Sequence, residues 1–209
     1  MTRTNYLPRL FFCSLALALC LPLFAQADTE ALQHVIDQPP ELDGFDMCYG
    51  GGCAGMAHVT LSNQEWQKVV QAFMPEPENA AQERESIRQA LGILEQIIGP
   101  KTGTSQDKAG TFGVWGKQGQ LDCNDEAANS TTYMKLMKKK GLIKFHDILN
   151  TKRRGFFFDG WPHTAAAILD HASGKRYAVD SWFYDNGQPA VVIPLEQWKS
   201  GWKPSASTH

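Results

Sequence analysis

Apolar and polar positions divide the chain into stretches of different period. Behind Ser62-Asn63-Gln64-Glu65, which has capping-box spacing, Trp66, Val69, Val70 and Phe73 fall on one helical face, and Pro75 and Pro77 end that helix. Asn79 to Ile98 repeats the period with Ile87, Leu91, Leu94 and Ile98 on one side, and Gly99-Pro100 is expected to stop it. A third helix is predicted from Cys123 to Lys140. It is capped by Asp122, packs Ala127, Tyr133, Met134 and Met137, and closes at Gly141. Lys138, Lys139 and Lys140 suit its negative end.

Beyond Gly141 the period turns to alternation. Leu142–Leu149, Gly155–Phe158, Thr164–Leu169, Tyr177–Val179 and Ala190–Ile193 are predicted strands, with a hairpin turn at Ala172-Ser173-Gly174-Lys175. A short strand is expected at Ala57–Leu61. Residues 28–47, broken by Pro39-Pro40, read as an extended, irregular surface arm. Residues 99–121 form a long Gly-, Lys- and Thr-rich loop, a length that is often functional. Helices first and an antiparallel sheet afterwards make the fold class α+β.

The start of the chain changes the picture of the rest. Arg3 and Arg9, the apolar run Leu10–Ala25 and Ala25-Gln26-Ala27 read as a bacterial secretory signal over residues 1–27, cleaved after Ala27. The mature protein is then expected in the periplasm or secreted, free of the membrane. Of 5 cysteines, Cys13 and Cys20 leave with the signal. Cys48 and Cys53 flank a flexible glycine loop and are expected to form a disulfide, since a lone pair lacks the other two ligands of a zinc site. Cys123 remains as a free thiol.

With 20 basic and 22 acidic residues the balance excludes the basic face of a nucleic-acid binder, and the chain is large enough for one cored domain, expected to be a monomer. At a helix start, Cys123 would lie on the positive end of the dipole, which favours thiolate. His163 and Asp180 follow in an order that supplies a base and an orienter to a cysteine nucleophile. Asp122, Asp125 and Glu126 oppose this by crowding the thiol with negative charge. His58, His146 and His171 carry no comparable pattern.

Asp122-Cys123-Asn124-Asp125, the helix end Leu136-Met137…Gly141-Leu142, and Gly174-Lys175-Arg176-Tyr177-Ala178-Val179-Asp180 together resemble the transglutaminase-like superfamily of the papain-like fold, in its bacterial cysteine-proteinase form. The likeness covers about residues 110–185. It implies a catalytic core at 101–209 with residues 28–100 packed on it as arm and helices. In it Cys123 attacks an amide carbonyl, His163 pairs with the thiolate and protonates the leaving amine, and Asp180 fixes the imidazole tautomer. The Cys123 N–H would form an oxyanion hole with Gln118, Gln120 or Trp115. No cofactor is required. Some relatives hold calcium beside the cysteine, which makes Asp122 and Asp125 the calcium candidates, although Asn124 stands where those relatives carry a second acid. The implied activity is that of a cysteine peptidase or amidase on a protein or peptide substrate. Protein-glutamine transglutaminase is the first alternative, and a non-catalytic periplasmic binding or scaffold protein the second.

Overall fold

The computed structural model describes residues 30–155 and 162–205. The expected signal at 1–27 and residues 156–158 of the expected strand Gly155–Phe158 lie outside them. Among the described residues there are five helices and two antiparallel sheets, so the α+β class holds. No described helix is long and apolar enough to cross a membrane.

The first correction falls on the supposed arm. Residues 30–37 are helical (α1), and Val35 is fully buried against Cys48, Cys53 and Ala128. Ala31, Leu32, Val35 and Ile36 make an apolar face too short to stand out from its polar surroundings. The arm then enters strand β1 (Phe45–Tyr49), which pairs with β2 (Gly55–Val59) in a hairpin. The strand expected at Ala57–Leu61 therefore begins and ends earlier, because its register is set by β1. The Cys48–Cys53 disulfide closes this hairpin, as expected.

Helix α2 (Asn63–Gln71) starts on the Ser62–Glu65 capping box. Helix α3 (Ala80–Thr102) is capped by Asn79 and does not stop at Gly99-Pro100. Proline removes one amide donor and disfavours the helical conformation in the residue before it, but so near the end little ladder remains to break. The helix ends instead at Gly103, in the left-handed region with φ 78°. Helix α4 (Cys123–Lys139) matches its expected span, and Gly141 beyond it has φ 78°.

The second sheet runs in the order β3 (His146–Arg154), β4 (His163–Asp170), β5 (Arg176–Asp180), β6 (Val191–Pro194), all antiparallel. The expected Leu142–Leu149 strand is shifted. Lys144 N–H and Phe145 N–H are turned onto the buried Glu83 carboxylate of α3, so pairing starts only at His146 and continues past a bulge to Arg154. A one-turn helix α5 (Leu195–Lys199) follows β6.

The main apolar cluster draws on both sheets and three helices. Phe45 and Met47 of β1, Ile87, Leu91 and Leu94 of α3, Met134 and Met137 of α4, and Ile168 and Val179 of the sheet all belong to it. Residues before and after position 100 thus share one core, with α4 packed on β4.

Candidate active site

Helix α4 begins where it does because of its cap. Asp122 accepts from the N–H groups of Asn124 (2.9 Å) and Asp125 (3.0 Å), and Asp125 accepts from the Asp122 N–H at 3.1 Å. This reciprocal pair satisfies donors that a helix start otherwise leaves open, worth about 1 kcal/mol. Cys123 is the first helical residue and only 4% exposed. Its backbone N–H has no acceptor within the helix, as at any first position.

The cysteine is stitched to the start of β4. The Thr164 N–H bonds to the Cys123 thiol, and the Thr164 hydroxyl donates to Asn124 Oδ1 at 2.9 Å. Thr164 directly follows His163, so the sulfur lies beside the histidine's own backbone. Across the sheet, Ala166 pairs with Val179. Continuing that register sets Asp180 opposite Ala165, a diagonal neighbour of His163 on the same face. His163 Nε2 and Asp180 Oδ2 are 2.7 Å apart, both buried. The other imidazole nitrogen, Nδ1, is buried with no hydrogen-bond partner among the described residues. With Asp180 accepting at Nε2, the neutral imidazole carries its proton there and keeps a bare lone pair at Nδ1.

Aromatic rings wall this pair. Trp182 lies 4.5 Å from the imidazole centroid, Phe183 5.4 Å and Trp198 5.5 Å. Trp198 also donates its indole N–H to Asp180 Oδ2 at 2.7 Å. Trp182 and Phe183 follow Asp180-Ser181 directly, so their place beside the site was readable from adjacency. Trp198 had no such signal: it arrives from α5, beyond another strand. Arg154 closes the far side, with its guanidinium 4.6 Å over the Trp198 ring.

The electrostatics reverse one expectation. Burial pushes the Cys123 thiol from its ordinary 9.0 up to about 11; the charges of Asp122 and Asp180 add to this, and the Thr164 N–H and Arg153 oppose it. A helix terminus supplies about 0.3–1 kcal/mol, whereas a rise from 9.0 to about 11 corresponds to ~3 kcal/mol. The resting group is the thiol, not the thiolate.

Behind α4 lies a second charged layer that the sequence did not disclose. Glu95, Asp107 and Glu126, from three separate segments, are all buried. Burial pushes Glu95 up to about 7, Asp107 to about 6 and Glu126 well above the carboxylate range; repulsion from Asp107 adds to this at Glu95 and Glu126, and repulsion from Asp185 at Asp107. Asp107 Oδ1 takes the Leu121 N–H at 2.7 Å, so this layer also fixes the approach to Cys123.

Gln120 donates its amide to the carbonyls of Gln106 and Gly119, both at 3.1 Å, and so serves to fold the loop. Gln118 is exposed and Trp115 is 64% exposed. Asp122 and Asp125 are committed to backbone donors: Asp122 caps the helix, and Asp125 also accepts from Gly51 and Cys53. His58 and His171 are exposed and pair with Asp46 and Asp147, while His146 is buried against Glu83 at 2.7 Å.

No protein-family model, curated protein or solved structure matches this chain.

Proposed function

We propose that the protein is an exported thiol-dependent acyl-transfer enzyme acting on amide bonds through Cys123, His163 and Asp180, on a papain-like core of transglutaminase type. The observation that carries the reading is the bare, buried Nδ1 of His163, whose Nε2 is tied to Asp180 and whose neighbour Thr164 holds the Cys123 sulfur. The Cys48–Cys53 disulfide fits an oxidising compartment, in keeping with an export signal at 1–27.

Because the thiol is protonated at rest, His163 acts as a general base rather than as a standing ion pair. As the sulfur attacks the amide carbonyl, its proton passes to Nδ1, and the oxyanion turns toward the Cys123 N–H. The imidazolium then protonates the leaving nitrogen, the C–N bond breaks, and a thioester remains on Cys123. Water attacks it with His163 as base, releasing acid and restoring the thiol. A primary amine in place of water would make the same enzyme a transglutaminase.

The burial of Cys123 favours one other reading, a binding or scaffold protein that uses the fold without chemistry. Labelling with iodoacetamide, read by peptide mass mapping, separates the two. In an enzyme, Cys123 carboxamidomethylation is expected to slow at least tenfold in His163→Ala, and a peptide-amide library is expected to be cleaved by wild type and not by Cys123→Ala. Labelling indifferent to His163, with no turnover, would reject catalysis. Incorporation of a labelled primary amine without hydrolysis would assign the transglutaminase reaction.

A further inference from the structure

Asp180 is gripped from two directions. Its Oδ2 receives the His163 Nε2–H and the Trp198 Nε1–H, each at 2.7 Å. A carboxylate rotates broadly about its last torsion, so one bond to an imidazole does not by itself fix which oxygen makes it. A second charge-assisted donor from a rigid ring does.

The indole is itself immobilised. Trp198 is fully buried. Arg154, at the end of β3, covers its ring, and Arg154 Nη1 donates to the Trp198 carbonyl and, at 2.8 Å, to that of Trp202. Helix α5 is only one turn long and has no side-chain cap, so local propensity does not account for its placement. It is held by what Leu195 and Trp198 bury and by this polar grip.

We propose, resting on the thiol–imidazole reading above, that Trp198 is a positioning residue. Its indole N–H fixes the Asp180 oxygen that meets His163, and so maintains the tautomer that leaves Nδ1 bare, while it draws carboxylate charge away from the imidazole. Arg154 keeps the indole in register.

The test is the pH dependence of Cys123 carboxamidomethylation by iodoacetamide in the full chain. Trp198→Phe keeps an aromatic ring, smaller than the indole, and removes the donor. More of the Asp180 charge then falls on His163, which holds its proton more tightly, so the pH of half-maximal labelling moves upward, by about half a unit. A purely packing role would lower the melting temperature and leave that midpoint in place, which would overturn the inference. The second measurement needs no Trp198 variant. The Trp198 indole proton resonance is expected to move upfield in Asp180→Asn, where the acceptor loses its charge; an unmoved resonance overturns the inference as well. The two readings fail separately. If His163→Ala removes the pH step and Trp198→Phe leaves it in place, only the Trp198 role falls. If His163→Ala leaves the step unchanged, the general-base reading falls and takes the positioning role with it.

Discussion

The Asp125 carboxylate accepts the Cys53 N–H at 2.6 Å, and through this bond the disulfide loop is fastened to the helix turn that begins at Cys123. Its other oxygen takes the Gly51 N–H at 2.7 Å. Gly51, Gly52 and Cys53 all have positive φ (86°, 61° and 64°), a run that turns backbone N–H groups toward one anion. Reducing the disulfide frees this loop in the unfolded chain and loosens it in the folded one. Closing so short a loop is worth on the order of 2 kcal/mol. Dithiothreitol, or Cys48→Ser with Cys53→Ser, is therefore expected to lower the melting temperature by about 5 °C. Calorimetry of the oxidised and reduced protein checks this, and an unchanged transition would show that Asp125 holds the loop alone.

Glu83 makes a similar join on the opposite side of the core. It is buried on α3, and it accepts from the N–H groups of Lys144 and Phe145 and from His146 Nδ1. Burial works to raise its pKa, but these bonds outweigh burial and hold it below the usual carboxylate range. A depressed folded value means stability that is present above the unfolded value near 4.5 and is lost as pH falls below it. Glu83→Ala would leave the buried His146 Nδ1–H and two partly buried amide donors without an acceptor. A loss of about 3–5 kcal/mol is expected at neutral pH, narrowing toward pH 3, as denaturant titrations at the two pH values would report.

The carboxyls behind α4 carry the opposite sign. Glu95 titrates at about 7 and Asp107 at about 6 in the fold, and Glu126 is raised further, all through burial first. Their folded values lie above the unfolded ones, so their contribution is fully present below about pH 4 and is lost as pH rises through 6 and 7. Glu126→Gln removes one of these acids and keeps an acceptor for the Ser181 hydroxyl. The variant is expected to gain on wild type as pH climbs from 5 to 8, by on the order of 1–2 kcal/mol at the upper end. Melting temperatures of both proteins across that range decide it, and a constant difference would show that burial does not raise the Glu126 pKa.

What the sequence disclosed, and what it did not, follows the distance over which each feature is determined. Helix α4 was legible because Asp122, Asp125 and Gly141 lie within or beside it and suffice to start and stop it. The pairing of His163 with Asp180 was legible because a hairpin turn at Ala172–Lys175 brings consecutive strands together. Helix α1 was not, since its short apolar face acquires meaning only from the disulfide and Ala128 that cover it. The grip of Trp198 on Asp180, the Glu83 join and the buried acids each depend on segments that local periodicity does not connect. The state of the thiol also escaped: the dipole at Cys123 is a local property, but the burial that outweighs it is a property of the whole fold.

Gly92 ties core packing to the site and provides the last test. It lies inside α3, where glycine is about 1 kcal/mol worse than alanine, so a surface helix would gain from Gly→Ala. Here a Cβ would stand 2.9 Å from the carbonyl carbon and oxygen of Gln188 and 3.0 Å from the Gly187 oxygen, all backbone atoms. They cannot give way as a flexible side chain would, because Gly187 is held by Glu95 through its N–H (2.8 Å) and by Gln96 through its carbonyl (2.7 Å). Overlap of this kind costs about 1–3 kcal/mol, enough to outweigh the gain in propensity. The same segment leads back through Asn186, whose N–H bonds to the Asp107 carbonyl, to Phe183 and Trp182 against His163. Gly92→Ala is therefore expected to lower the melting temperature and also to alter Cys123 labelling by iodoacetamide at a temperature where the variant remains folded. A stabilised Gly92→Ala protein with unchanged labelling would mean that the 187–188 backbone does not press on α3 as closely as these distances require.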